Sequence, residues 1–515
     1  MALFPAALFL LLIGLETAAA LRLNDGHLTY TLDDPYIHLA LADNIARGHY
    51  GVNRQEASAP SSTIVWPPLL ALFARVRGFE YVPFAINLAA SLMTIWLYRR
   101  VVERALDGYE GGRRTLYVTT LVALLVPATN LVGLVFTGME HSLQVTATAA
   151  VIAGMIEEHR AGRVRWWLCA AILAGPLLRY ENLAVSVPAL VYLMARGHVV
   201  AAAWCGIALA GALAGFSSFL WSLGLGLLPT SVLAKSVVAG AGHSIRAMVS
   251  SVLRTALRNL TAWQVVALGL AFIALTAVAA SRERSGKDRL LAGCVAGGIA
   301  LHMLAGQFGW YFRYEVYIWV AAVLTVIYLY GARVARALEG MPAGRLVMTG
   351  TAIVVVLCFP YVNGLRTIPL ASNNIYQQQY QMHRFATDYY RAPVAVNDLG
   401  WVSFKNDQYV LDLVGLASVE AFARRVSEND RVWLEDLTRR HDVRLAMVYQ
   451  DWFGIPPRWT CLGRLHLGRQ RITVVENAVT FYALDDEATG RARELLDRFR
   501  ASLPAGVTFK TSCAG

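Results

Sequence analysis

Apolar stretches of about 20 residues, separated by short basic loops, recur along most of this sequence and leave it little choice but a bilayer. A spanning helix needs roughly 20 apolar residues. Candidates lie near 2–22, 82–104, 114–136, 140–156, 166–180, 181–195, 199–223, 261–280, 288–306, 311–331 and 345–361, about eleven by the hydropathy criterion. The segments at 140–156, 166–180 and 181–195 are short, and the charges of Arg179-Tyr180-Glu181 favour a turn at an interface between the last two. Residues 2–20 end in Ala18-Ala19-Ala20 like a cleavable leader, but no basic n-region precedes them. They are read as a retained first helix.

Composition agrees. The chain has 515 residues, 56% hydrophobic and only 16% charged, against about 25% charged in a soluble domain. Its net charge of +11 does not signal nucleic acid, because no aromatic-basic recognition pattern accompanies it. The charge sits in loops instead. Arg99, Arg100, Arg104, Arg113 and Arg114 form one cluster, and Arg160, Arg163 and Arg165 the next. Arg196 follows, then Arg282, Arg284, Lys287 and Arg289, then Arg333, Arg336 and Arg345. If the spans alternate, all fall on one side, which the positive-inside rule makes cytoplasmic. The N-terminus is then cytoplasmic, and the loop 24–81 and everything after about 362 lie outside the cytoplasm of a multi-pass inner (plasma) membrane protein.

The expected fold is a mainly α polytopic membrane domain, 1–362, followed by a small α/β domain, 363–515. The first outer loop carries an amphipathic stretch, Tyr36 to Arg47, expected to lie in the interface plane and to stop at Gly48. A second short helix is expected through Trp66–Phe73. In the tail, β-like runs at 394–396, 409–411, 446–449 and 472–475 mix with helical stretches at 420–440 and 486–502. Cys169, Cys205, Cys294 and Cys358 read as packing residues of apolar segments. Cys461 and Cys513 lie in the tail and are able to pair if it is outside.

The polar residues that break the pattern map to one face. Asp33 and Asp34, in Thr31-Leu32-Asp33-Asp34-Pro35-Tyr36-Ile37-His38, follow the first span. Glu140 opens the fourth span. Arg179 and Glu181 sit at the next outer turn, Lys235 in the next outer loop, and Arg313 and Glu315 at the start of the tenth span. Singly, each suits an interfacial anchor. As a set they suit a site. Asp before Pro at a helix start is an N-cap signal, which accounts for Asp34 but not Asp33. Asp33 is therefore the candidate general base, with Asp34 orienting the loop or helping to hold a divalent cation. Arg179, Lys235 and Arg313 suit a phosphate.

The order acidic pair, amphipathic helix with Asn44 and Gly48, Glu56, Ser61-Ser62, Trp66, Gly138-Met139-Glu140, Arg179-Tyr180-Glu181, Pro229 to Lys235 and Arg313-Tyr314 resembles the GT-C glycosyltransferases. The mycobacterial terminal arabinofuranosyltransferase type and its bacterial relatives are the nearest likeness, which extends into Asn397-Asp398-Leu399-Gly400 and Val410–Leu416. The chain departs from the family's pattern at Pro35, at Tyr180 and after Arg313. The resemblance implies a polyprenyl-phosphate sugar donor, and an envelope glycan, lipid or protein acceptor outside the cytoplasm. It also implies Asp33 as base with Asp34 and Glu140 near it, the basic residues near the donor phosphate, and His38, Glu181 and Trp66 in support. Single-step attack predicts inversion. Two readings from other classes are a lipid-linked sugar transporter or flippase and a non-catalytic envelope-binding protein. The first usually places charge near the midplane on repeated halves, and no halves repeat here.

Overall fold

The computed structural model describes residues 3–235, 262–427 and 432–513. Mainly helical, it forms a membrane bundle with a small sheet domain at one end. Among the described residues six helices are long and apolar enough to cross a membrane: Phe4–Leu23, Phe79–Ala105, Val199–Ser222, Trp263–Ala280, Gly286–Ala305 and Val316–Ala337. A seventh crossing arises if Ala343–Leu357 and the helix after it, bent by 82°, count as one. The chain is a multi-pass membrane protein.

A helix occupies each of the eleven expected stretches among the described residues, but not every one is a single long apolar helix. The stretch 114–136 is divided into Arg114–Ala128 and Leu131–Phe136 by Asn130, whose φ of 51° is left-handed. Trp166–Leu178 and Leu183–Ala195 have 13 residues each, about 20 Å at 1.5 Å per residue, less than the ~30 Å hydrocarbon core. Between them Arg179 is extended and Tyr180–Asn182 makes a single 3-10 turn, so the charges do fall at a break. His141–Ala161 is long enough but buried along most of its length, packed between neighbouring helices rather than facing lipid.

The sheet runs β1 (Val394–Val396), β2 (Val410–Asp412), β3 (Leu445–Val448), β4 (Thr460–His466), β5 (Ala478–Ala483) and β6 (Thr508–Lys510), in the order β2-β1-β3-β5-β4-β6. β1 pairs in parallel with β2 and β3; the other pairs are antiparallel. The expected strand at 472–475 is not formed. Asn374, on the helix that enters the tail, takes the backbone N–H groups of Ile472 and Thr473 on its Oδ1, and its Nδ2 donates to Gln470. That side chain does the pairing a strand neighbour would otherwise do. Cys461 and Cys513 are joined as a disulfide.

The expected boundary at 362/363 lies inside the helix Phe359–Gln377, and the first outer loop and the tail share one core. Tyr36, Leu39, Trp66, Leu70 and Phe79 pack in the same cluster as Met382, Phe385, Val396, Phe404 and Phe481. Polar contacts reinforce the seam. Asn53 pairs with both backbone groups of Val410, as a strand would, at 2.9 and 3.0 Å. Asn373 binds the Leu23 carbonyl. The helix Asp34–Ile45 is therefore buried from Pro35 through Ala42, so its apolar side packs on protein rather than on lipid as its amphipathic pattern suggested. The tail covers the face that lipid would have covered.

Candidate functional site

The acidic pair begins where the first helix ends. Thr31 fixes the approach: its N–H and hydroxyl both donate to the Phe136 carbonyl, at 3.0 and 3.2 Å. Gly138, two residues on with φ +65°, faces the Tyr30 ring, where a Cβ would stand 2.6 Å away. Only glycine admits both the left-handed backbone and this contact. The Gly138-Met139-Glu140 motif thus brings the start of the Glu140 helix against the loop that carries Asp33.

Asp33, not Asp34, takes the N-cap position of helix Asp34–Ile45, and its side chain makes no capping bond. This corrects the expectation that Asp34 is the cap. The Asp33 carboxylate turns toward the tail instead. Its Oδ2 accepts from the Gly400 N–H at 2.7 Å and its Oδ1 from the Trp401 N–H at 2.9 Å. A Cβ on Gly400 would stand 2.7 Å from that carboxyl and 2.1 Å from the Asp33 carbonyl oxygen, so only glycine permits the approach. The Asp33 pKa is raised well above the ordinary carboxylate value by burial and then by the charge of Asp398, against the lowering effect of the two N–H bonds; the charge of Asp34 raises it further. The Asp398 pKa is also raised, chiefly by burial. Its Oδ2 accepts from Gln379 at 2.8 Å.

Asp34 faces the bundle. Its Oδ2 lies 2.5 Å from Arg313 Nη2, a guanidinium 1% exposed. Arg313 follows Gly309 and three residues with left-handed φ, Trp310, Tyr311 and Phe312 at 43°, 61° and 56°. Such conformations cost of order 1–3 kcal/mol each and cluster at functional sites. Asn130 holds this turn by donating to the Phe312 carbonyl, and Glu315 accepts the Gly309 N–H. The Nε and Nη1 hydrogens of Arg313 are buried with no hydrogen-bond partner among the described residues. A guanidinium presents five donors to planar oxyanions, so this one retains capacity for an anionic oxygen.

A second cluster adjoins the first. Arg179 Nη1 donates to Glu140 at 2.7 Å, while its Nη2 and Nε grip Glu181 at 2.7 and 3.2 Å. Glu140 is fully buried. Tyr314 joins the two cations: its ring lies 5.1 Å from the Arg313 guanidinium and 5.5 Å from that of Arg179. The structure therefore brings Asp33, Asp34, Glu140, Arg179, Glu181 and Arg313 to one end of the bundle, with Glu140 directed at Arg179. His38 is buried one turn along from Asp34, its Nδ1 3.2 Å from the Ser61 hydroxyl. Trp66 is a core residue of the loop–tail seam. Helix Thr230–Lys235 is tied to the outer loop through Ser62 and Ser231 at 3.0 Å and through the Thr230 N–H on Ala59. The Lys235 side chain lies outside the described residues.

A divalent cation fits the acidic pair poorly. Both oxygens of Asp33 already receive N–H groups and Asp34 is held by a buried cation. Among the described residues no group of three or more His, Cys, Asp or Glu is arranged to hold a metal ion.

Asp398, Gly400, Trp401 and Tyr314 escaped the search for site residues. Asp398 and Gly400 stand in a motif the sequence offered, but Asp398, like Asp412, is there an equally plausible turn or cap residue. Asp412 is such a case: its carboxylate accepts from the N–H groups of Val414 and Ala417 and closes its own loop.

A family model of a domain of unknown function, DUF8728, matches residues 373–482, the segment that supplies Asp398, Gly400 and Trp401. No curated protein matches the chain. In backbone course it is similar to the oligosaccharyltransferase of Archaeoglobus fulgidus in the apo form, with TM-score 0.45 and 11% identity over 93% of this chain and 74% of that one. It is also similar to ArnT from Cupriavidus metallidurans. The apo state gives TM-score 0.43 and 12% identity over 93% of this chain and 98% of that one. The undecaprenyl phosphate-bound state gives TM-score 0.40 and 12% identity over the same shares.

Proposed function

We propose that this chain is a membrane glycosyltransferase of the GT-C type, moving a sugar from a polyprenyl-phosphate donor to an envelope glycan, lipid or protein acceptor. The observation that carries the reading is a carboxylate fixed by two backbone N–H groups, close to two further carboxylates, one of which, Asp34, pairs with a buried arginine that has two donors unpartnered among the described residues.

In this reading Asp33 is the general base. An acceptor hydroxyl attacks the anomeric carbon of the donor, and its proton passes to Asp33. The bond from that carbon to the phosphate oxygen breaks with its electron pair leaving on the phosphate, and the configuration inverts. A base works best with a pKa near the operating pH, and burial and like charge move Asp33 in that direction. The departing phosphate gains charge, which donors already in place stabilise without reorganisation. Arg313 supplies them, with Lys235 assigned to the same phosphate. Arg179, shared between Glu140 and Glu181, also lies against the Tyr314 ring and so helps to position Arg313.

An apolar cavity of about 370 Å³ borders this cluster, lined by Glu181, His302 and Tyr317 together with Leu183, Val187 and Leu301. It suits the first isoprene units of a lipid carrier. The tail's disulfide and the gathering of arginines at the opposite end support an extracytoplasmic tail and a cytoplasmic N-terminus in the inner membrane. The arabinofuranosyltransferase-like subtype rests on the sequence motifs.

The test is incubation of the purified chain in vesicles with a panel of polyprenyl-phosphate sugars and membrane glycan extracts, with products read by mass. Asp33→Asn is expected to lower transfer by roughly 10²–10⁴-fold while the protein stays folded and donor still binds. Undiminished transfer by the folded variant overturns the assignment of Asp33. Absence of any sugar product across the panel overturns the class.

A further inference from the structure

At the end of the bundle opposite Asp33, a cavity of about 780 Å³ opens between the helices Phe4–Leu23, Val82–Ala105 and Arg114–Ala128. Along the helix Val82–Ala105, Asn87 binds the Met139 carbonyl beside Glu140, and the cavity's Arg104 lies 17 residues further on, about 26 Å of helix. The reaction proposed above makes no use of it.

Its walls are graded. Arg104, Asp107 and Arg114 line it at the loop end, and Trp96, Val118 and Val122 line it deeper. Trp96 precedes Arg104, and Val122 follows Arg114, by eight residues each, about 12 Å of helix. Arg99 and Arg100 stand between, with the Arg100 guanidinium 5.4 Å from the Trp96 ring. Trp96 is 51% exposed, an amphipathic ring at a depth suited to the edge of a bilayer.

The arginines are partly neutralised. Arg99 pairs with Glu103, Arg114 with Asp107, Arg100 and Arg104 with Glu157 behind the wall, and Arg104 also with Asp107. Four arginines against three carboxylates leave the cavity cationic. Their side chains stay 36–45% exposed, so each can still turn donors toward a ligand.

We infer that this cavity binds an anionic phospholipid, its phosphate at Arg99, Arg104 and Arg114 and one acyl chain along Trp96, Val118 and Val122. A free phosphate satisfies the arginines but leaves the apolar depth uncovered. A zwitterionic lipid covers the depth but brings a cation to a cationic rim.

The full chain in detergent, titrated and read by native mass spectrometry, tests this with three probes: phosphatidylglycerol, phosphatidylcholine and glycerol phosphate. Phosphatidylglycerol is expected to be retained most tightly. Arg99→Gln is expected to weaken it about fivefold, the worth of one arginine near an anionic surface. Thr119→Trp, which fills the slot beside Val118 and Val122, is expected to expel the lipid with the arginines untouched. Equal retention of phosphatidylcholine overturns the inference, as does glycerol phosphate binding as tightly as the lipid. So does undiminished lipid binding by folded Thr119→Trp, which stands as the test should Arg99→Gln fail to fold.

Discussion

The two polar ends of the bundle are built from the same residue types and differ in how their charges close. At the arginine-rich end every buried carboxylate meets several donors. Glu158, fully buried, accepts from the Tyr192 hydroxyl at 2.6 Å, from Arg196 at 3.1 Å and from His198 at 2.9 Å. Glu157 accepts from Arg100 and Arg104, and Asp107 pairs with Arg104, Arg114 and Arg160. At the other end Asp33, Asp34 and Asp398 raise one another's charge burden, and the cation paired with Asp34 keeps two buried donors without partners among the described residues. A network that closes on itself is structural. One that holds like charges together and leaves hydrogen-bonding capacity unused is a candidate for chemistry.

The largest expected effect separates the ends by activity. Asp33→Asn should lower sugar transfer by roughly 10²–10⁴-fold, whereas Glu158→Gln should leave the rate per folded molecule within about threefold, because the static network does no proton transfer. Initial rates from equal amounts of monodisperse protein decide it. A comparable loss in Glu158→Gln would erase the contrast.

Stability should separate them as well, by how deeply each ion pair is buried. Removing Arg179 leaves Glu140 buried without its cation, and breaking a buried pair from one side costs about 3–5 kcal/mol. Arg179→Leu should therefore unfold far earlier than Arg179→Leu with Glu140→Leu. The exposed pair Arg99–Glu103, 40% and 41% accessible, should contribute about 1 kcal/mol or less. Thermal unfolding of the single and double variants in one detergent measures both.

Gly400 sharpens the contrast at the level of geometry. A methyl group there meets the Asp33 carbonyl oxygen and carboxyl, so Gly400→Ala must push the two apart. Displacement of a reacting group by about 1 Å can cost up to 10²-fold. Transfer should fall by about that factor, with thermal stability changing by less than for Arg179→Leu.

The difference between the ends was partly legible in the sequence. The apolar periodicity located the helices, and the basic loops marked one face. The order of Asp33, Glu140, Arg179 and Arg313 along the chain then implied that all met at the other. What the sequence withheld was pairing. Asp34 before a proline reads as a cap, yet Arg313 takes it, because a strained turn held by Asn130 brings that guanidinium across. The strand expected at 472–475 was lost to Asn374, and the interfacial helix to burial under the tail. In each case a side chain hundreds or scores of residues away overrode a sound local preference, and no periodicity records such a partner. Asp398 is the sharpest instance, since its role depends on facing Asp33.

That facing gives the smallest effect and the most specific. The Asp398 charge is the first electrostatic cause, after burial, of the raised Asp33 pKa. A like charge disfavours ionisation, so Asp398→Asn should let Asp33 lose its proton more readily. Since the base must be unprotonated to act, transfer should rise with pH through the apparent pKa of the cluster. The acid limb of the profile should then move to lower pH in the variant, with the plateau rate little changed. The limb belongs to coupled carboxylates rather than to one residue, so its steepness should relax as well. Substituting Asp107, at the closed end, should move neither. A limb that stays in place when Asp398 is neutralised would mean that the tail shapes the site without tuning its acid.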